Sequence, residues 1–240
     1  MSQNDRWAWL TGAFQGEQRR ATIVLLVSPV LIVTWKYFAS PERLLATLSP
    51  AWVLWDDPQA TAAVYFMAWT FVLLGLIPAL VVKLAFGEPL ADYGVQLGIP
   101  VRTFRTMAIA APLFVLGGYL ASRDPAVQIA YPLNPSAGGS PAMFGIHALT
   151  YSLFYLGWEF HFRGFIQHGL RRSMGDANAV LVGVLASCLA HLGKPASETF
   201  TSILGGLLWG LLAFRTRSLL SGFMQHFLLG LSLDWFLCYG

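Results

Sequence analysis

Charge is what this 240-residue chain has least of: Asp, Glu, Lys and Arg make up 11% of it, against about 25% in a soluble domain. With 56% hydrophobic residues and a mean hydropathy of +0.58, that scarcity excludes an ordinary soluble domain and makes a membrane protein the starting class. Cysteine is nearly absent. Cys188 and Cys238 both lie in apolar stretches, and their spacing excludes a zinc knuckle, a CxxC redox pair and a disulfide framework. The chain has no HExxH, no GxSxG, no P-loop and no GxGxxG, which removes the sequence support for a zincin, a serine nucleophile elbow and nucleotide-phosphate binding. The first 20 residues carry Asp5, Arg6, Glu17, Arg19 and Arg20 and show no cleavable signal pattern, so the first span is expected to act as its own insertion signal.

The few charges are clustered. None falls in Ala21–Trp35, Pro58–Val82, Thr106–Ser122, Pro125–Trp158, Ala177–Gly193, Thr199–Phe214 or Ser218–Leu233. A bilayer core of about 30 Å demands apolar stretches of roughly this length, so the expected fold is an all-α polytopic membrane protein of about seven transmembrane helices. With the N-terminus inside, the inner loops hold Arg19, Arg20, Lys83, Arg102, Arg105, Arg171, Arg172, Arg215 and Arg217. The outer loops hold Glu42, Arg43, Asp56, Asp57, Arg123, Asp124, Lys194 and Glu198, so the positive-inside rule gives an N-in, C-out topology. The net charge of +3 then belongs to membrane anchoring and calls for no nucleic-acid partner. Gly87–Arg105 reads as an interfacial cytoplasmic stretch, and Ser122–Pro141, rich in Pro, Gly and Ser, as an external loop. Residues 1–240 are expected to form one membrane domain, with 1–20 a cytoplasmic segment and 142–237 a catalytic core.

An ionisable side chain inside the hydrocarbon region costs several kcal/mol unless it is paired or faces a wet cavity, so it marks a functional candidate. Glu159, Arg163, His191, His226 and Asp234 qualify. Glu159 and Arg163 are four residues apart, on one helix face, and can pair. A helical rise of about 1.5 Å per residue from the inner boundary places Glu159 about 18 Å deep, His191 about 21 Å and His226 about 13 Å. Three separate helices thus bring a carboxylate and two imidazoles to a similar level, which is better read as a site than as packing.

Other candidates carry less. His147 is expected at the interface, His161 away from the Glu159 face and His168 near the cytoplasmic end; Asp234, two turns past His226, either orients that ring through an intermediate or lines the outer mouth. Glu198 follows the helix break at Gly193 and Pro195 and is expected as a cap or a Lys194 partner, and Gly206 with Gly210 forms a GxxxG pair for close helix packing.

A carboxylate with two imidazoles suits activation of water: Glu159 accepts the proton while His191 and His226 position the water or donate to an oxyanion, and Arg163 keeps Glu159 charged. No cofactor is required, although Glu159, His191 and His226 together are also an acceptable zinc set, and spacing does not choose between the two. A thiol protease built on Cys188 is disfavoured by its apolar helix.

The order Glu159-x-x-x-Arg163-Gly164, then His191 at a helix end, then His226 in the last span, resembles the CPBP (CAAX protease and bacteriocin-processing, Abi) family of intramembrane endopeptidases, which includes Rce1-type prenyl-protein proteases. The resemblance implies an all-helical membrane fold and hydrolysis of membrane-associated proteins or peptides, in a bacterial branch by trimming leaders or C-terminal sorting tails at the cytoplasmic membrane. It implies catalytic roles for Glu159, Arg163, His191 and His226, with Trp158, Asp234 and Glu198 as substrate or support residues. The chain departs from the family pattern at Trp158, where the first of two glutamates stands, at Ser187 for a Phe, and at Gly230 for an Asn or Asp. Either Glu159 has taken over the base role or catalysis has been lost. A non-enzymatic alternative, an inactive scaffold or a small proton-coupled transporter, therefore stands beside the protease, and the oligomeric state is open.

Overall fold

The computed structural model describes residues 7–240, so residues 1–6 of the expected cytoplasmic segment lie outside the described residues. Helices account for the secondary structure, with no strand among the described residues. In lipid a helix satisfies its own backbone polar groups, which is why so apolar a chain folds this way. The long helices are α1 (Gly16–Phe38), α2 (Pro58–Phe86), α3 (Pro100–Ala121), α4 (Pro141–Glu159), α5 (Gly169–Ala190), α6 (Ala196–Thr216) and α7 (Leu220–Tyr239).

Local chemistry sets their ends. Asp57 accepts from the Ala60 amide at 2.9 Å before Pro58, and Ser140 accepts from the Met143 amide at 3.1 Å before Pro141; each is an N-cap followed by a proline that needs no donor. Beyond Glu159 the chain continues as a π-helical stretch, Phe160–His168, into α5. Gly175 (φ 75°) then breaks the helical path near the start of α5.

Five stretches are long and apolar enough to cross a membrane: Gly16–Phe38, Pro58–Phe86, Pro100–Ala121, Pro141–Ala190 and Ala196–Thr216. This differs from the expected seven for two reasons. Pro141–Ala190, at 50 residues, takes in two of the expected spans. The last one, α7, carries Gln225, His226 and Asp234 and is not among the five.

Two loops are more structured than expected. Ser122–Pro141 contains a short helix, Pro125–Ala130, capped by Asp124, whose carboxylate accepts from the Ala126 amide at 2.9 Å. The charge-free run that begins at Pro125 thus becomes membrane-length helix only at Pro141, because Pro132, Pro135, Gly138 and Gly139 interrupt it. In the 87–105 stretch, Leu90–Tyr93 forms a turn with Tyr93 buried, and Arg102 and Arg105 already belong to α3.

The core packs α1, α2, α4 and α5 around Trp35, Phe66, Leu74, Trp158, Phe162 and Phe165. The expected close approach at the GxxxG pair is present: a Cβ on Gly206 would stand 3.1 Å from Val184 and one on Gly210 2.8 Å from Gln167 Oε1. Chain ends pair at two poles. At one, Ile99 N–H donates to Thr216 O at 2.7 Å and Arg20 pairs with Glu88. At the other, Lys36 Nζ donates to Leu192 O at 2.6 Å and Ser197 donates to Asp124 at 2.8 Å.

Candidate active site

Glu159 closes α4 where the helix widens into the π-helical stretch, a deviation often found at functional sites. Its side chain is 1% exposed. Oε1 accepts from His226 Nδ1 at 2.8 Å and lies 3.4 Å from the Arg163 guanidinium. Oε2 is buried without a partner, beside Gly222 of α7, where a Cβ would stand 3.2 Å away. The absence of a side chain at Gly222 is what lets α7 bring His226 against the carboxylate. Because Oε1 takes the Nδ1 proton, His226 carries its lone pair on Nε2. The ring is held between Trp209 (4.0 Å, stacked) and Tyr155 (4.5 Å), and Arg163 sits over the Trp209 ring at 5.5 Å.

A cavity of about 530 Å³ opens beside this group, and its wall includes Tyr155, Arg163, His191, Glu198, Trp209 and His226. His191, the cap of α5, donates Nδ1–H to Ser187 O at 2.7 Å, which fixes its tautomer and turns Nε2 to Glu198 Oε1 at 4.0 Å. Glu198 Oε1 also accepts from Tyr131 at 2.7 Å. Asp124, Val127 and Tyr131 line the same cavity, so the loop after α3 forms part of its wall.

The expected set is thus brought together as two carboxylate–imidazole pairs rather than one cluster. Among the described residues no three His, Cys, Asp or Glu side chains gather in a metal-holding arrangement. Glu159, His191 and His226 are not among such arrangements, and His191 keeps Nε2 turned to Glu198. Glu198, expected as a cap or a Lys194 partner, stands in the first turn of α6 with its charge near Lys194 and also faces His191 and Tyr131, while Lys194 lies over the Tyr131 ring at 4.5 Å. Burial pushes the Lys194 ammonium below its usual range, partly offset by the nearby Glu198 charge.

Asp234 neither orients His226 nor reaches the cavity wall. Its Oδ2 bonds His147 Nε2 at 2.7 Å, and both side chains are fully buried. His147 is therefore enclosed by protein, with a partner that the sequence did not suggest, since two lone polar residues 87 positions apart gave no signal of pairing. His161 is buried away from the site, with neither ring nitrogen partnered, as its helix face implied.

Two of the three departures from the pattern noted in the sequence, at Gly230 and at Trp158, have local substitutes. A Cβ on Gly230 would stand 2.0 Å from Tyr155 Oη, so the tyrosine hydroxyl fills the volume of the missing side chain. Tyr155 was not singled out by the sequence, because a tyrosine in an apolar helix looks like packing. Trp158 packs edge-on against His191 at 5.0 Å, and the carboxylate beside that histidine comes from Glu198 instead.

Compared with known proteins, the chain matches no curated protein and no solved structure. A family model does match, over residues 141–232, described as Rce1-like, Type II CAAX prenyl endopeptidase Rce1-like. That stretch holds Glu159, Arg163, His191, Glu198 and His226, and over it the chain is similar to the Rce1-like family.

Proposed function

We propose that the chain is an intramembrane endopeptidase that hydrolyses peptide bonds of membrane-anchored proteins or peptides, through leader or C-terminal tail processing. The observation that carries this is the Glu159–His226 pair at the edge of a cavity that His191 and Glu198 also line, in a stretch similar to prenyl endopeptidases. Glu159 acts through His226 rather than on water directly, since Oε1 is taken by Nδ1–H and Oε2 is sealed against Gly222.

His226 Nε2 removes a proton from a cavity water as the water oxygen attacks the scissile carbonyl. The C–O bond forms and the carbonyl electron pair moves onto oxygen, where the Arg163 guanidinium donates and Tyr155 Oη adds a second donor by turning its proton from Tyr151 Oη, 3.0 Å away. Glu159 stabilises the imidazolium. The 4.0 Å gap between His191 and Glu198 accommodates a bridging water with legs of about 2.8 Å, and this pair enters the reaction holding one shared proton, which passes to the departing amine as the C–N bond breaks. The proton on His226 returns through cavity water to His191 and Glu198. Water activation and leaving-group protonation, the two proton transfers that amide hydrolysis needs, are thus divided between two pairs. This reading routes no step through a metal.

The same reading makes residues 1–240 one domain in a bacterial cytoplasmic membrane, with seven spans and the N-terminus inside. The bend at Gly175 supports it, since a straight 50-residue helix would run about 75 Å, far more than one bilayer. Membrane lipids are its surroundings, and no nucleic acid takes part.

The test is cleavage by purified protein in proteoliposomes, with farnesylated C-terminal peptides and leader peptides as probes and products identified by mass. Wild type is expected to cut, Glu159→Gln to lose at least about 100-fold in kcat/KM, and a chelator to change nothing. Cleavage that survives Glu159→Gln overturns the assignment and leaves the inactive-scaffold or transporter alternative; cleavage abolished by chelator overturns the metal-free mechanism.

A further inference from the structure

A second cavity, of about 540 Å³, lies at the opposite pole from the α5–α6 turn, and its wall carries Arg20, Arg102, Arg171, Arg172, Arg215 and Arg217. These come from α1, α3, α5 and the end of α6, up to 197 positions apart in the chain. Nearby carboxylates answer only some of them. Glu88 pairs with Arg20 and lies 3.7 Å from Arg172; Glu17 is 3.3 Å from Arg20 and 3.9 Å from Arg172. Asp176 holds Arg171 through two hydrogen bonds of 2.6 and 3.0 Å. Asp92, the other acid on the wall, forms no ion pair among the described residues.

Arg102, Arg215 and Arg217 also have no ion-pair partner among the described residues. Arg102 reaches across to donate to Arg215 O at 3.3 Å, so the α3 and α6 ends share one concave wall. Collecting three unpaired guanidiniums there is repulsive unless an anion sits among them. Guanidinium forks match phosphate oxygens.

The position favours a lipid. Arg102 stands at the start of α3 and Arg215 in the last turn of α6, the ends of two membrane-length helices and hence the level of headgroups. From that point the outer face of α3 is an exposed apolar track of Val101, Phe104, Ile109 and Leu113, suited to acyl chains. We propose that this cavity binds the phosphate of an anionic phospholipid headgroup, with Arg102, Arg215 and Arg217 as the clamp and the acyl chains along α3. Inorganic phosphate shares the headgroup chemistry but lacks the chains.

The test measures lipid retained by the purified full chain in neutral detergent, using native mass spectrometry with added phosphatidylglycerol or phosphatidylcholine. Phosphatidylglycerol is expected to be retained at least about tenfold better. Each arginine contributes about fivefold, so the triple variant Arg102→Gln/Arg215→Gln/Arg217→Gln is expected to lose on the order of 100-fold in affinity. Arg123→Gln, at the other end of α3, is expected to change nothing, and the lysine version of the triple variant to fall between wild type and the glutamine triple, since lysine keeps the charge and loses the fork. If the glutamine triple does not fold, Arg217→Gln alone carries the comparison at about fivefold. Equal retention of the two lipids, or undiminished retention by the glutamine variants, overturns the site. Displacement of phosphatidylglycerol by millimolar inorganic phosphate at constant ionic strength overturns the lipid assignment in favour of a free anion.

Discussion

At the scale of residues, the groups that stand in for two of the three missing side chains of the pattern are the most informative feature. The positions of Glu159, Arg163, His191 and His226 were legible because ionisable groups are costly in an apolar chain and stand out. Tyr155 and Glu198 were not legible in those roles: a tyrosine passes for packing and a carboxylate at a helix start for a cap, and only the crossing of α4 with α7 and the turn of His191 give them work. Since Tyr155 Oη fills the volume beside Gly230, Tyr155→Ala is expected to lower kcat by about 10- to 1,000-fold with little change in KM. Combining it with Gly230→Asn is expected to recover part of the loss, and steady-state kinetics of the single and double variants check this. In the proposed mechanism the His191–Glu198 pair protonates the amine. Glu198→Gln should therefore lose far more activity on an amide than on a nitrophenyl ester of the same peptide, whose leaving group departs without a proton; equal losses on both contradict the role.

At the scale of elements, hydrophobic runs marked where helices lie but not where they begin or bend. The run from Pro125 reads as one span by charge alone, yet Ser140 and Pro141 start the helix, because a cap and a first-turn proline outweigh hydropathy at a boundary. The segment before it became part of the cavity wall through two capping acids. Asp57 is held below the usual carboxylate range first by the Ser136 hydroxyl and then by the Ala60 amide, and Asp124 first by the Ser197 hydroxyl and then by the Ala126 amide. A depressed folded-state value contributes stability that is present above the unfolded value of 3.8 and lost as pH falls through the folded one. The 122–140 loop is thus expected to stay closed at neutral pH and to loosen only below about pH 4, read as faster proteolytic nicking there. Asp124→Asn is expected to give the same loosening at pH 7; a loop equally protected in that variant contradicts the account.

At the scale of the whole molecule, membrane class, helical fold and the family likeness of the C-terminal stretch could be read from composition and from four spaced residues, because burying polar groups in lipid leaves few alternatives. The His147–Asp234 pair could not, since it depends on how α4 and α7 face each other. The arginine-rich and acid-capped poles make topology testable. Single cysteines in place of Arg217 and Arg123, on a background in which Cys188 and Cys238 are replaced, are expected to react with an impermeant maleimide from the cytoplasmic and the external side respectively. The reverse pattern contradicts the orientation. The most direct measurement is a double-mutant cycle on peptide cleavage in proteoliposomes with Glu159→Gln, His226→Ala and their combination. If Glu159 works through His226, each single change costs at least about 100-fold in kcat/KM and the double variant is no worse than the more damaged single one. Losses that multiply, or a Glu159→Gln variant as active as wild type, would show that the pair is not the catalytic unit.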